Sequence, residues 1–181
     1  MKSYRNHMWL AGPAMLLALL AVHACKPVKV PPGVEVVEPF DVRAYTGKWY
    51  EIARFDFKQE KNMKQVTAEY TLNDDGSIKV INRGFDTVKG KWKDAIGKAR
   101  FVGEQNRGAL KVSFFGPFYS GYNVVAMEPP YQNALVFGED TDYIWILSRN
   151  KTIPEDVKSN FLRIAREAGY DVSRLIWTKH D

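Results

Sequence analysis

Cysteine is almost missing from this 181-residue chain, with Cys25 the single example, and histidine is limited to His7, His23 and His180. One cysteine excludes an internal disulfide, a CxxC redox pair and a multi-cysteine zinc site. No strong excess of one charge is present: 26 Lys and Arg stand against 21 Asp and Glu, evenly mixed along the chain. That argues against nucleic acid as a partner. No P-loop or dinucleotide motif occurs, and the apolar run near the N-terminus is too short for a comfortable membrane span. What is there is material for a core, 45% apolar and 13% aromatic residues, in a length suited to one domain with a short appendage.

The first 24 residues read as an address. Lys2 and Arg5 form a positive n-region, and Leu10 to Val22 is apolar apart from Gly12 and Pro13, the shape of a bacterial secretory signal. Val22-His23-Ala24-Cys25 follows and resembles the lipobox of bacterial lipoproteins. There the signal is cut before a cysteine that carries acyl chains on its sulfur and on its new amine. His23 departs from the small residue usual at its position, and Val22 stands where Leu is commoner. An ordinary signal peptide with a stray cysteine is the alternative. The cysteine sits at the end of the apolar run and nowhere else, which favours Cys25 as a lipidation site. Two or three acyl chains, at roughly 0.8 kcal/mol per buried methylene, would anchor the protein to a membrane. Lys26 rather than Asp after the cysteine implies, by resemblance to enterobacterial-type sorting, the bacterial outer membrane, on its periplasmic face.

Cleavage changes the arithmetic. Removing 24 residues from 181 leaves 157, and Lys2 and Arg5 go with no acidic residue, so 24 basic residues face 21 acidic ones. The mature chain keeps His180 alone, near its end, and its cysteine is taken by lipid. Cys–His and Ser–His–Asp catalysis then have almost nothing to work with. The expected organisation is a signal at 1–24, a tether at 25–39 carrying Pro27, Pro31, Pro32 and Pro39, and a folded domain at 40–181.

From Gly47 onward short strand-like runs alternate with turns. The expected strands are Trp49–Phe57, Val66–Leu72, Ile78–Phe85, Trp92–Phe101, Ala109–Phe114, Tyr122–Met127, Tyr131–Phe137 and Tyr143–Ser148. Turn residues separate them, among them Asn73-Asp74-Asp75-Gly76, Lys89-Gly90 and Gly116-Pro117. A helix follows: Thr152-Ile153-Pro154-Glu155 has the pattern of a capping box, and Val157, Phe161, Ile164 and Ala168 form an apolar stripe. Gly169 is the expected C-cap, and Leu175–Thr178 a short last strand. The fold class is all-β: an eight-stranded antiparallel up-and-down barrel with the C-terminal helix packed outside. Such a barrel holds one small ligand or is filled by its own side chains. In Tyr143-Ile144-Trp145-Ile146-Leu147-Ser148 both parities are apolar, so one set can line a cavity while the other lies beneath the helix.

Gly47-Lys48-Trp49-Tyr50-Glu51 matches the G-x-W signature of the lipocalins at the start of the first strand. Asn82-Arg83-Gly84, the run Lys111 to Phe118 and Trp145-Ile146-Leu147-Ser148-Arg149 are also family-like. From about Phe40 to Thr178 the chain resembles the lipocalin family, in particular its bacterial outer-membrane branch and the related apolipoprotein D. The resemblance implies structural roles for Gly47, Trp49 and Arg149, with Trp49 filling the closed end and Arg149 packing across it. Thr141-Asp142-Tyr143 spells the family's second motif but precedes the last strand, so it is read as a chance match in a rim turn. The expected place for that motif holds Met127-Glu128-Pro129-Pro130-Tyr131.

Parity and resemblance together nominate ligand-binding positions. Tyr70, Asn82, Tyr122 and Trp145 match positions lining the apolipoprotein D cavity, and Leu110, Val112 and Phe114 share one face of the fifth strand. Arg54 and Arg83 are candidates to attract an anionic head group, or plain solvated arginines. The hydrophobic stretch Phe114 to Tyr119 could meet lipid, ligand or a second subunit. The implied function is binding, transport or storage of a fatty acid or lysophospholipid in the envelope, supporting membrane maintenance under stress. No cofactor or metal and no enzymatic activity are expected. A lipocalin-fold enzyme, a carrier of another small hydrophobic ligand and a homodimer are left open.

Overall fold

A computed structural model of the chain describes residues 30–128 and 131–181. The signal segment and the tether's first residues, Cys25 to Lys29, lie outside the described residues, as do Pro129 and Pro130. The strands are β1 (Gly47–Arg54), β2 (Met63–Leu72), β3 (Ile78–Asp86), β4 (Lys91–Phe101), β5 (Ala109–Phe115), β6 (Phe118–Glu128), β7 (Asn133–Phe137) and β8 (Ile144–Ser148). A short helix, α1 (Val42–Tyr45), precedes β1, and α2 (Glu155–Glu167) follows β8. Each strand pairs antiparallel with the next, and β1 pairs with both β2 and β8, which closes an eight-stranded barrel. Closure leaves no long unpaired edge.

The expected strand ends shift. β1 stops at Arg54 rather than running to Phe57, and its register with β8 shifts between Glu51 and Ala53. A similar irregularity between Lys64 and Thr67 lets β2 start at Met63. Past this break the C-terminal strand β9 (Ile176–Trp177) pairs with Ala53 and Arg54 of β1. The Gln65 N–H donates to the Lys179 carbonyl at 2.9 Å, so the C-terminal tail fills the gap where β1 leaves β2.

The strands alternate between two apolar environments. One cluster fills the lower barrel, with Trp49, Tyr70, Ile78, Val80, Leu110 and Val136 among its members. The other lies between barrel and α2, with Phe55, Leu135, Phe137, Ile144, Ile146 and Phe161. α2 buries Val157, Phe161 and Ala165, whereas Ala168, expected on that stripe, is exposed and Ala165 takes its place. Ala168 is the C-cap, one residue past the last helical position Glu167, so the end of the helix lifts it off the packed face. The capping box does not form: Pro154 is the N-cap and makes no side-chain cap bond. The helix ends as expected, with Gly169 at φ +87° and the Tyr170 N–H donating to the Ala165 carbonyl at 3.0 Å.

Residues 34–39, expected as tether, lie against the barrel. The Val37 N–H donates to the Val124 carbonyl at 2.8 Å, and the Gly108 N–H donates back to the Val37 carbonyl at 2.9 Å.

Candidate functional site

One end of the barrel is shut. Trp49 is fully buried there, and its indole N–H donates to the Tyr45 carbonyl at 2.8 Å. The Arg149 guanidinium lies 3.8 Å over the Trp49 ring. Its Nη1 donates to the Lys48 carbonyl at 2.8 Å, and its Nη2 reaches the carbonyls of Ala44, Tyr45 and Thr46 at 2.9–3.1 Å. Nε donates to the Tyr131 carbonyl at 3.2 Å. A planar fork with five donors suits such a convergence of carbonyls, and the aromatic face below it is favourable for a cation. Gly47 has φ +93°, a conformation that needs glycine, at the point where the chain turns from α1 into β1 beneath this arginine.

Above this floor lies a cavity of about 580 Å³, a size suited to one small molecule. Tyr70, Asn82, Leu110 and Val112 line it, as do Phe114, Tyr122 and Trp145. Parity explains the grouping. On β8, Trp145 and Leu147 face the cavity while Ile144 and Ile146 face the helix side. Gly97 gives Phe114 its room, since a Cβ there would lie 2.8 Å from the ring. Phe115 and Phe118 also border the cavity and are 76% and 70% exposed, which places them at its solvent edge. The run Phe114 to Tyr119 therefore divides between cavity and surface.

At the deep end the hydroxyls of Tyr45 and Tyr70 each bond to that of Tyr122, at 2.6 and 2.8 Å. Burial raises all three phenol pKa values, so they remain neutral hydrogen-bonding groups. At the mouth, the β1–β2 loop folds inward, and Phe57 packs 5.5 Å from Trp145 and 5.8 Å from Tyr143. Thr141-Asp142-Tyr143 belongs to the open rim, in the β7–β8 turn, where Asp142 pairs with Arg174 at 3.2 Å.

The expectation for Arg54 needs correction. Arg54 does not line the cavity: it is 1% exposed, and its Nε lies 3.4 Å from Glu51 and 3.2 Å from Glu60. Two carboxyls already neutralise it, so it has no charge to offer an anionic ligand. Arg83 is among the cavity-lining residues, and its half-exposed side chain lies over Trp92 at 4.9 Å and pairs with Asp94 at 3.4 Å. The polar groups that sequence reading missed are Glu51 and Glu60, both in the cavity wall. Glu51 shares the parity of Trp49, a usable signal. Glu60 sits in a loop, where no periodicity marks it.

A family model described as a lipocalin-like domain matches residues 40–180. The chain belongs to the lipocalin family. Among lipocalin relatives, the outer membrane lipoprotein Blc of Escherichia coli (strain K12) is 51% identical, over 92% of this chain and 94% of that protein. The Blc of Vibrio cholerae is 42% identical, over 91% and 96%. Apolipoprotein D of Mus musculus is 30% identical, over 81% and 80%. Insecticyanin from the tobacco hornworm Manduca sexta shares the fold, with a TM-score of 0.67 and 24% identity over 83% of this chain and 86% of that one. As a lipocalin with an open apolar cavity, the chain binds small hydrophobic molecules.

Proposed function

We propose that this lipocalin is a lipid-anchored carrier or store of single-chain lipids, fatty acids or lysophospholipids, in the bacterial envelope. The carrying observation is the cavity: about 580 Å³, closed at Trp49, open at the opposite end and lined mainly by aromatic and aliphatic side chains. One acyl chain can be buried in such a volume, and a second cannot. The gain from burying it, at roughly 25 cal/mol per Å² of apolar surface, supplies the binding energy.

The outer membrane as location is supported by the names of the Blc relatives and by the lipobox-like run ending at Cys25. No helix among the described residues is long and apolar enough to cross a membrane, so acyl chains on Cys25 would supply the attachment. A tether holds the carrier beside its source of lipid and raises the effective concentration of each for the other. Cys25 lies before the barrel in the chain, which argues against a cysteine nucleophile in the cavity and favours binding over catalysis.

Titration of the purified mature chain with a lysophospholipid and a free fatty acid tests the reading. Saturable one-to-one binding at micromolar concentration is expected, and failure of both to bind would refute it. Incorporation of labelled palmitate in cells tests the anchor, and Cys25→Ser should abolish it.

A further inference from the structure

Two carboxyls of the cavity wall share one guanidinium. Where β1 parts from β2 towards the mouth, Glu51 and Glu60 both line the cavity, with Arg54 behind them. Arg54 Nη2 donates to the Glu60 carbonyl at 2.5 Å, and Glu51 Oε1 accepts from Thr178 Oγ1 at 2.6 Å. Two carboxyls against one guanidinium leave an excess negative charge in a largely buried site, which is costly. Protonation of Glu60 relieves that excess. Burial first, and then the charge of Glu51, push the Glu60 carboxyl well above the ordinary carboxylate range. Asn82 adds a further acceptor: its Oδ1 is buried without a hydrogen-bond partner and it lines the same cavity.

We propose that Glu51 and Glu60 form a head-group subsite for a primary ammonium, so that the cavity takes an amine-bearing single-chain amphiphile and releases one proton in exchange. The inference rests on the carrier reading above and names the polar group of its cargo. The exchange balances. The ammonium enters with one positive charge, the Glu60 proton leaves to solvent, and two carboxylates then face two cations, the ammonium and Arg54. A carboxylate head group would instead bring a further negative charge beside the pair.

Surrounding charges do not overrule this preference. Arg83, Lys93, Asp94 and Glu139 also line the cavity, two of each sign. The other titratable groups of the cavity lining are the phenols of Tyr45, Tyr70, Tyr122 and Tyr143. His180 Nε2 meets only the Glu51 backbone carbonyl, at 2.7 Å.

Isothermal titration of the mature chain with decylamine, decanol and decanoate near neutral pH, in two buffers of different ionisation enthalpy, tests the proposal. Decylamine should bind about tenfold or more tightly than decanol, as expected for a charge-assisted contact, and should release close to one proton. Decanol should release none. Glu60→Gln should abolish the proton release and collapse the amine-over-alcohol preference. Equal binding of amine and alcohol by the wild-type chain, with no proton released, would overturn the inference and leave the carrier reading standing. Failure of all three probes to bind would overturn both.

Discussion

The two faces of the barrel wall are built from the same strands and end in opposite states. Outside, Ile144, Ile146, Leu135 and Phe137 meet Phe161 and Ala165 of α2, and each is at most 1% exposed. Inside, the next residue along the same strand, Trp145, borders a void of about 580 Å³. The difference is geometric. A helix can settle onto a sheet until its side chains interdigitate. An eight-stranded barrel has a diameter fixed by its strand number, and Ala68, Ala99 and Val112 are too short to meet across it. Tightness outside holds the wall rigid, and looseness inside leaves room for cargo. The barrel's stability and its binding capacity are thereby assigned to alternate residues.

The largest effect should come from the packed face. Phe161→Ala should cost about 3–5 kcal/mol in chemical denaturation and leave ligand affinity of the folded fraction unchanged. Trp49→Ala belongs with it although it faces inward, because the floor beneath the cavity is as solid as the helix side, so the loss should again be about 3–5 kcal/mol. Trp145→Ala should cost less stability, since the ring already borders a void. Its main effect should be weaker lipid binding, by roughly tenfold or more from lost apolar contact. Leu110→Trp should also suppress lipid binding in a titration, here by occupying the cavity, at a cost of about 1–3 kcal/mol in stability. If Trp145→Ala destabilised more than Phe161→Ala, the division of labour between the faces would be wrong.

The smallest effect concerns pH. The folded-state pKa of Glu60 is raised, so above the unfolded value of about 4.3 the folded chain holds more protons than the unfolded one. Stability contributed by this group is therefore full below that value and declines as pH rises towards the folded pKa. Glu60→Gln should flatten the fall in melting temperature above about pH 5, and an unchanged slope would contradict the assignment.

The strands were legible because apolar residues alternate between turn residues such as Asn73 to Gly76, and closure followed from their number. Cavity parity on β5 and β8 was legible for the same reason. Strand ends were not. Irregular pairing between Glu51 and Ala53, between Val112 and Phe115 and between Val124 and Ala126 shifts the alternation without any mark in composition. Arg54 was misread because its partner Glu60 arrives from a loop, through tertiary contact alone. The failed cap at Thr152 has a local cause, since Pro154 itself becomes the N-cap.

The central claim is a cavity for one acyl chain. Native mass spectrometry of the mature protein, offered equal amounts of a lysophospholipid and a two-chain phospholipid of the same head group, tests it directly. The account predicts a one-to-one adduct with the single-chain lipid and little with the other, and loss of that adduct in Leu110→Trp. Equal adducts with both lipids, or an adduct undiminished by Leu110→Trp, would contradict it.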